Sequence, residues 1–258
     1  MSKIEIMGEI ISTKQLTEDI FDVWIRAKEI ADQAKAGQFV SFYTDDPSKM
    51  LPRPISICEI DKKAGSLRFT YRVTGEKTGT KEFSLKQVGD KIRLLGPLGN
   101  GFPLEEGEKA ILIGGGIGIP PMLELAKERT GENIIIAGYR DELYLEKDLK
   151  KQGELYIATD SGSFGVKGTV IDAIKENELK AAVIYACGPT PMLKAVKEYA
   201  KTHNITKCYL SMEEKMACGI GACLACVCKS KEKDEHSQVH NKRVCKEGPV
   251  FLAWEVEL

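Results

Sequence analysis

Cysteines are concentrated near the end of this chain of 258 residues, where six of the eight lie at or beyond position 208. Cys218, Cys223 and Cys226 follow a C-x4-C-x2-C pattern, and Cys245 lies further along. Plant-type proteins ligate a [2Fe–2S] cluster with this spacing, in which one tight loop supplies three thiolates and a fourth returns from elsewhere. Glycines between the first two cysteines let such a loop adopt positive φ and bring N–H groups close to the sulfurs. The pattern therefore predicts an iron–sulfur site on these four cysteines.

Three other uses of the cysteines compete with the cluster. Zinc also binds four cysteines, but zinc knuckles usually present two C-x2-C pairs, and only Cys223 and Cys226 form one here. Disulfides are disfavoured in a reducing compartment, and packing cysteines would not gather in one segment. Cys228, two residues after Cys226, is interpreted as a neighbour that is not a ligand. Packing roles are expected for the cysteines in apolar runs, which are Cys58, Cys187 and Cys208.

Two histidines, His236 and His240, have the i, i+4 spacing of a metal-binding pair on a helix. The segment 229–242 around them is charged and lacks apolar periodicity. A solvated loop is therefore favoured over a second metal site.

Two glycine-containing loops each follow an apolar run and precede a helical pattern. Glycines allow close backbone approach, and the N-terminus of a helix offers free N–H groups to a pyrophosphate. The predicted NAD-binding residues are Gly114, Gly115, Gly116, Gly118, Cys187, Gly188 and Pro189. The first loop matches G-x-G-x-x-G incompletely, so an ordinary βα turn is the alternative. Arg140 suits a 2′-phosphate and Asp141 a ribose hydroxyl, which leaves NADP against NAD open.

Polar residues in the first hundred positions could hold a flavin. In Arg53-Pro54-Ile55-Ser56, the arginine can make paired contacts with a phosphate, and the serine could donate to a flavin ring nitrogen. Tyr71-Arg72 ends a later strand and could supply stacking and charge. Gly79-Thr80 precedes a short helix, whose N-terminus favours anions. Taken singly, each of these is equally compatible with a structural role.

The elements that would position these residues fall into three segments. Six short runs of β-branched and aromatic residues, separated by turn signals, predict an antiparallel β-barrel or β-sandwich over 1–102, and we favour the barrel. Dense glycine and proline near Gly96–Gly101 place a boundary at about residue 102. Apolar strands then alternate with helical patterns, which predicts a parallel α/β domain over 103–211. Residues 212–258 are rich in cysteine and loops and predict a small cluster-bearing module.

Composition and charge limit the function. The formal net charge is -1, which lacks the electrostatic footprint of a general nucleic-acid binder. The longest apolar runs are far shorter than the roughly 18 residues needed to span a bilayer, and the first residues do not form a signal peptide. We therefore expect a cytoplasmic protein with neither nucleic acid nor membrane among its partners.

The order of these motifs resembles the ferredoxin–NADP reductase superfamily and, more closely, the electron-transfer subunits of class 1B dihydroorotate dehydrogenases. The resemblance covers essentially the whole chain. Its specific part is the segment Glu213–Cys226 together with Arg243–Phe251. One departure is a longer linker, Thr74–Thr78, before Gly79-Thr80, and the terminal stacking aromatic of many reductases is missing.

The resemblance implies FAD on the barrel, held by Arg53–Ser56, by Thr70, Tyr71 and Arg72, and by Gly79-Thr80. It also implies a [2Fe–2S] cluster on the four cysteines and a catalytic partner subunit that carries FMN, in a heterotetramer with two of each chain. The chain would then relay electrons from dihydroorotate oxidation to NAD+ in pyrimidine biosynthesis, with no catalytic residue of its own.

Two other functions remain open at this stage. One is the small flavin and iron–sulfur subunit of an NADH-dependent ferredoxin–NADP oxidoreductase or a sulfide dehydrogenase. In that group we expect an aspartate where Cys218 stands, so the cysteine favours the dihydroorotate interpretation. The other is a zinc-stabilised nucleotide-binding module without enzymatic activity.

Overall fold

The first part of the chain closes into a six-stranded antiparallel barrel. The computed structural model describes residues 3–233 and 238–258. The strands follow one another around the barrel in the order β1-β2-β5-β4-β3-β6. They are β1 (Ile4–Gln15), β2 (Ile20–Arg26), β3 (Phe39–Tyr43), β4 (Arg53–Asp61), β5 (Ser66–Arg72) and β6 (Lys91–Leu98). All six were predicted from runs of β-branched and aromatic residues, and side chains such as Val40, Phe42 and Phe69 fill the barrel interior.

Two short helices interrupt the barrel strands. Helix α1 (Lys28–Ala31) was not predicted, because four residues are too few to show a helical period. Helix α2 (Gly79–Ser84) lies where the sequence predicts a helix over Thr80–Gln87. Its N-cap is Thr78, whose side-chain oxygen accepts a hydrogen bond from Lys81 N.

The second part is the predicted parallel α/β sheet. Its strands are β7 (Ala110–Gly115), β8 (Asn133–Tyr139), β9 (Glu154–Thr159), β10 (Val166–Lys167), β11 (Val183–Cys187) and β12 (Lys207–Ser211). The helices are α3 (Pro120–Glu128), α4 (Glu146–Lys150), α5 (Val170–Glu176) and α6 (Thr190–Thr202). The sheet order is β10-β9-β8-β7-β11-β12, so the chain changes direction across the sheet between β7 and β11. Ligands of doubly wound sheets bind at such a switch point. No helix in the described ranges is long and apolar enough to cross a membrane.

The last segment packs onto this sheet. Strand β15 (Val250–Leu252) pairs antiparallel with β12 at the sheet edge. Strands β13 (Val227–Lys229) and β14 (Asn241–Arg243) form a small hairpin. Cys226, Val244 and Phe251 belong to the same buried cluster as the sheet residues. The cysteine-bearing segment is thus stabilised by packing on the α/β core.

A buried ionic network joins the barrel to the α/β part. The Arg68 guanidinium of β5 donates to both carboxylate oxygens of Asp22 at 3.0 Å. The same group reaches Glu59 of β4 at 3.0 Å and Asp148 of α4 at 2.9 Å. Lys127 of α3 extends the network to Glu59 at 3.0 Å. Charges on both parts therefore hold the faces of the barrel and the sheet together.

Candidate functional site

The cysteine loop, which comprises residues 218–226, lies against the outside of the barrel and leads into β13. Within it, Ile220 N and Ala222 N donate to the sulfur of Cys218 at 3.4 and 3.3 Å. Gly221 N donates to the sulfur of Cys245 at 3.1 Å. Gly219 and Gly221 have φ values of +67° and +84°, which turn these N–H groups toward the sulfurs and explain the glycines.

The four predicted ligands lie in two pairs of thiols. Cys245 N donates to the sulfur of Cys226 at 3.4 Å, and Cys223 lies close enough to Cys218 to affect the pKa of its thiol. Burial raises the pKa of Cys218, but the N–H donor of Ile220 and the Cys223 thiol outweigh it and hold that pKa at about 6. Burial and the neighbouring Cys226 raise the pKa of Cys245 to about 12. Cys218 is thus readily available as a thiolate ligand, whereas the Cys245 thiol must lose its proton when a metal binds.

This donor set fits a cluster of two irons. Each iron of a [2Fe–2S] cluster takes two thiolates, and the loop offers two pairs with N–H groups aimed at their sulfurs. Within residues 3–233 and 238–258, no group of three or more His, Cys, Asp or Glu side chains is placed to hold a metal ion.

The remaining cysteines and histidines lie elsewhere. Cys228 is 7% exposed on β13 and faces the core, and burial raises the pKa of its thiol to about 11. Cys58 and Cys208 are fully buried, as predicted for packing residues. Nδ1 of the exposed His240 lies 2.9 Å from Lys231 O, and His236 lies outside the described residues.

Three residues that the sequence analysis did not single out anchor the cysteine loop. Lys3 Nζ donates to Ile220 O at 2.8 Å, which ties the start of β1 to the loop. Arg243 Nη1 donates to Gly221 O at 3.0 Å. Asn100, in the predicted glycine-rich boundary, donates to Glu247 O and Val250 O at 2.9 Å each. Only Asn100 had a local signal, since it stands among the turn residues that mark the boundary.

The predicted phosphate-binding residues of the barrel come together at one end of β4. The Arg53 guanidinium lies against Gly79, where any Cβ would overlap it. Its Nη1 donates to Lys49 O at 3.1 Å and also to Leu51 O, and no carboxylate in the described part of the chain pairs with it. A guanidinium that has no carboxylate partner and lies beside the first turn of α2 suits the binding of a pyrophosphate.

Other predicted flavin residues are placed differently. Ser56 is half-buried on the outer face of β4, and Pro54 lies on the same face. The ring of Tyr71 is 3% exposed and packs against Phe83 inside the barrel. This packing favours the structural alternative for the Tyr71 ring, and a flavin contact of Tyr71 stays a prediction. Ile55 also faces the barrel interior, so a ligand can reach only its backbone.

Thr70 and Arg72 are engaged by acidic residues next to the second domain. Thr70 Oγ1 donates to Asp22 at 2.7 Å and so belongs to the ionic network described above. Arg72 Nε lies 3.0 Å from Asp19, and the arginine is half-buried. Thr80 Oγ1 lies 3.0 Å from Thr78 Oγ1, which stabilises the start of α2.

The two predicted nucleotide loops lie side by side at the switch point. Cys187 at the end of β11 pairs with Gly114 at the end of β7. A Cβ on Gly118 would overlap Cys187 O and lie 2.6 Å from Gly188 N, so the two backbones touch there. Gly115 packs against Pro189 and Met192 in the same way. The two loops are therefore adjacent, and their binding of one dinucleotide stays a prediction.

The first of the two predicted nucleotide loops lies against the barrel. A 3₁₀ turn over Gly116–Gly118 packs against β5. Tyr144 OH donates to Gly116 O at 2.6 Å and holds this turn in place. Arg140 and Asp141 are both exposed after β8 and do not separate NAD from NADP.

Comparisons with known proteins agree with this geometry. A family model described as the iron–sulfur cluster binding domain of dihydroorotate dehydrogenase B matches residues 213–257. The chain is 41% identical to the dihydroorotate dehydrogenase B (NAD(+)) electron transfer subunit of Geobacillus thermodenitrificans, over 96% of this chain and 97% of that one. It is 42% identical to the protein of the same name from Fusobacterium nucleatum, over 95% of each.

Solved structures share the architecture. A structure of the NADH-dependent reduced ferredoxin-NADP oxidoreductase matches with a TM-score of 0.86 and 29% identity, over 98% of this chain and 90% of that one. The Amycolatopsis cytochrome P450 reductase GcoB matches with a TM-score of 0.67 at 18% identity, over 81% and 69%, which shows the fold alone. Because relatives about 40% identical match nearly end to end, the chain belongs to the family of electron transfer subunits of dihydroorotate dehydrogenase B (NAD(+)).

Proposed function

We propose that this chain relays electrons between the FMN of a dihydroorotate dehydrogenase catalytic subunit and NAD+, through a [2Fe–2S] cluster and FAD. The single observation that carries the proposal is the two thiol pairs of the cysteine loop, packed on the barrel that carries Arg53. Bound flavin exchanges electron pairs with nicotinamide and single electrons with an iron–sulfur cluster. The oxidation of dihydroorotate would occur on the partner chain.

In this proposal, the chain's own residues bind and orient. Arg53 and the N–H groups of α2 hold the pyrophosphate of FAD, and Ser56 donates to the flavin ring. The Gly114–Gly118 turn and the Cys187–Pro189 loop hold the dinucleotide pyrophosphate at the crevice. Cys218, Cys223, Cys226 and Cys245 ligate the irons. We also propose that each cofactor binds to its own segment of the chain, with FAD on 1–102, NAD on 103–211 and the cluster on 212–258.

A first test is the composition of the purified chain. We expect about two irons with matching sulfide and about one FAD per chain, with overlapping flavin and iron–sulfur absorption. A colourless protein with bound zinc would refute the relay and favour the zinc-stabilised nucleotide-binding module.

The flavin site is tested by removing the unpaired guanidinium. Arg53→Ala should lose bound FAD on gel filtration and keep its iron, because the cysteine loop does not use Arg53. Arg26→Ala is the matched control, since Arg26 forms an exposed ion pair with Glu9 on the same barrel. Equal FAD retention in the two variants would contradict the assignment of Arg53.

The partner is tested by co-purification. We expect an FMN-containing subunit that oxidises dihydroorotate, in a complex with two copies of each chain by native mass spectrometry. The resemblance to the ferredoxin–NADP oxidoreductase structure supplies a second candidate, a subunit of that type. Recovery of a ferredoxin-linked partner, with no dihydroorotate oxidation, would support that candidate and defeat the substrate assignment.

A further inference from the structure

Ser41 carries a buried hydroxyl that the fold leaves without a partner. The residue is fully buried on β3, and its Oγ forms no hydrogen bond with any described residue. Among the described residues, one other buried side-chain nitrogen or oxygen atom has no hydrogen-bond partner, Arg72 Nε. That atom lies 3.0 Å from the Asp19 carboxylate, so an ion pair satisfies it. A buried hydroxyl without a partner is unfavourable unless another group satisfies it in the functional protein.

The Ser41 hydroxyl lies between β4, which carries Arg53 and Ser56, and the cysteine loop. Val40 and Phe42 fill the barrel interior, so Ser41 faces outward between them. Across the strand pair it stands opposite Pro54, whose side chain offers no hydrogen-bonding group. Toward the loop, its Oγ is 3.1 Å from the position that a Cβ on Gly219 would occupy. The neighbour within reach of this hydroxyl is therefore the loop that begins with Cys218.

We propose that Ser41 Oγ donates a hydrogen bond to the Cys218 sulfur when the [2Fe–2S] cluster is bound, and so tunes the potential of the centre. The inference rests on the proposed function, because it requires a resident cluster. Ile220 N and Ala222 N already donate to this sulfur from within the loop. Ser41 adds a donor from the barrel, on strand β3 next to β4.

The expected effect follows from charge. Reduction adds negative charge to the sulfurs, so each donor favours the reduced state and raises the potential. Ser41→Ala removes the hydroxyl donor and keeps the Cβ. We expect the equilibrium constant for one-electron reduction to fall about tenfold, which corresponds to about 59 mV.

The experiment is a redox titration of the full chain with its cofactors, followed by electron paramagnetic resonance. Ser41→Ala should lower the cluster potential with unchanged iron content, while Ser41→Thr, which keeps a hydroxyl, should keep the wild-type value. Ser12→Ala is the matched control, since Ser12 is an exposed serine on β1. In deuterated buffer, electron–nuclear double resonance of the reduced cluster should lose one exchangeable coupling in Ser41→Ala only.

The outcomes separate the inference from the function beneath it. A wild-type chain without a [2Fe–2S] signal would defeat the proposed function itself. A cluster whose potential and exchangeable couplings are the same in Ser41→Ala and wild type would overturn the inference and leave the proposed function standing. A shift of the flavin potential alone would also overturn it, because the hydroxyl would then serve the flavin.

Discussion

Replacing Arg68 by alanine is expected to destabilise the joint between the barrel and the α/β sheet. The Arg68 side chain is 12% exposed and the Asp22 side chain 8%, so the pair is largely shielded from water. Without the guanidinium, Asp22 keeps only the hydroxyl donor of Thr70, and Asp148 loses its link to the barrel. An uncompensated buried carboxylate is the main source of the expected loss.

The size of the loss follows from the burial of the pair. Removing one partner of a buried ion pair costs about 3–5 kcal/mol of unfolding free energy. For a chain of this size, each kcal/mol lowers the melting temperature by about 2–4 °C, so Arg68→Ala should melt about 6–20 °C lower. Lys28→Ala is the control, because Lys28 and Asp32 form an exposed i, i+4 pair that is worth about 0.5 kcal/mol or less.

The assay is calorimetry of the cofactor-loaded chain at one fixed excess of FAD, because a ligand of the folded state adds stability by mass action. The double variant Arg68→Met with Asp22→Asn should recover part of the loss, since it leaves no uncompensated charge at Asp22. A melting temperature for Arg68→Ala that is no lower than that of Lys28→Ala would refute the reasoning. So would a double variant less stable than the sum of its single changes.

Three further outcomes are expected from the site and the helix caps. Cys226→Ser should lose the iron–sulfur absorption, whereas Cys228→Ser should keep it, because Cys228 faces the core; equal iron content in both would contradict the ligand assignment. Gly118→Ala should abolish reduction by NADH and leave the iron content unchanged, because its Cβ would push the two nucleotide loops apart; normal NADH kinetics would contradict this. Thr169→Ala should cost about 1 kcal/mol near neutral pH by removing the cap of α5. The Thr169 N–H and hydroxyl lower the pKa of Asp172 below 3.8, so their stabilisation is present above that value and is lost as the pH falls through the folded pKa. The urea midpoints of the wild type and of Thr169→Ala should therefore converge as the pH is lowered. A constant difference between them would show that the Asp172 carboxylate is not involved.

Strong periodicity made most of the fold predictable, and its absence explains what was missed. The barrel strands and the βα alternation each repeat an apolar pattern over five or more residues. The helix α4 and the strand β10 are too short to do so. The hairpin β13–β14 lies in a charged stretch, because both of its strands are only partly covered and need no apolar alternation.

Within the site, the residue types were predictable but some orientations were not. The inward orientation of Tyr71 was predictable, because Leu67, Phe69 and Tyr71 alternate in one strand and must face the same side. No such local rule places Ser41 or Lys3 beside the cysteine loop. Both reach it across more than 170 positions of sequence, through the closure of the barrel. Only the tertiary fold brings these contacts together.

The packing of the cysteine loop also fixes the position of the proposed cluster site relative to the barrel that is proposed to bind FAD. The loop is attached to the barrel through Lys3 and to its own return segment through Arg243. Asn100 then ties that return segment to the connection between barrel and sheet, with hydrogen bonds of 2.9 Å to two carbonyl groups. Electron transfer between fixed sites needs constant separation, and side chains that cross-link all three parts of the chain provide it. Without these three cross-links the loop would be free to shift relative to the barrel, so we expect their loss to disturb the proposed cluster site even when all four cysteines are kept.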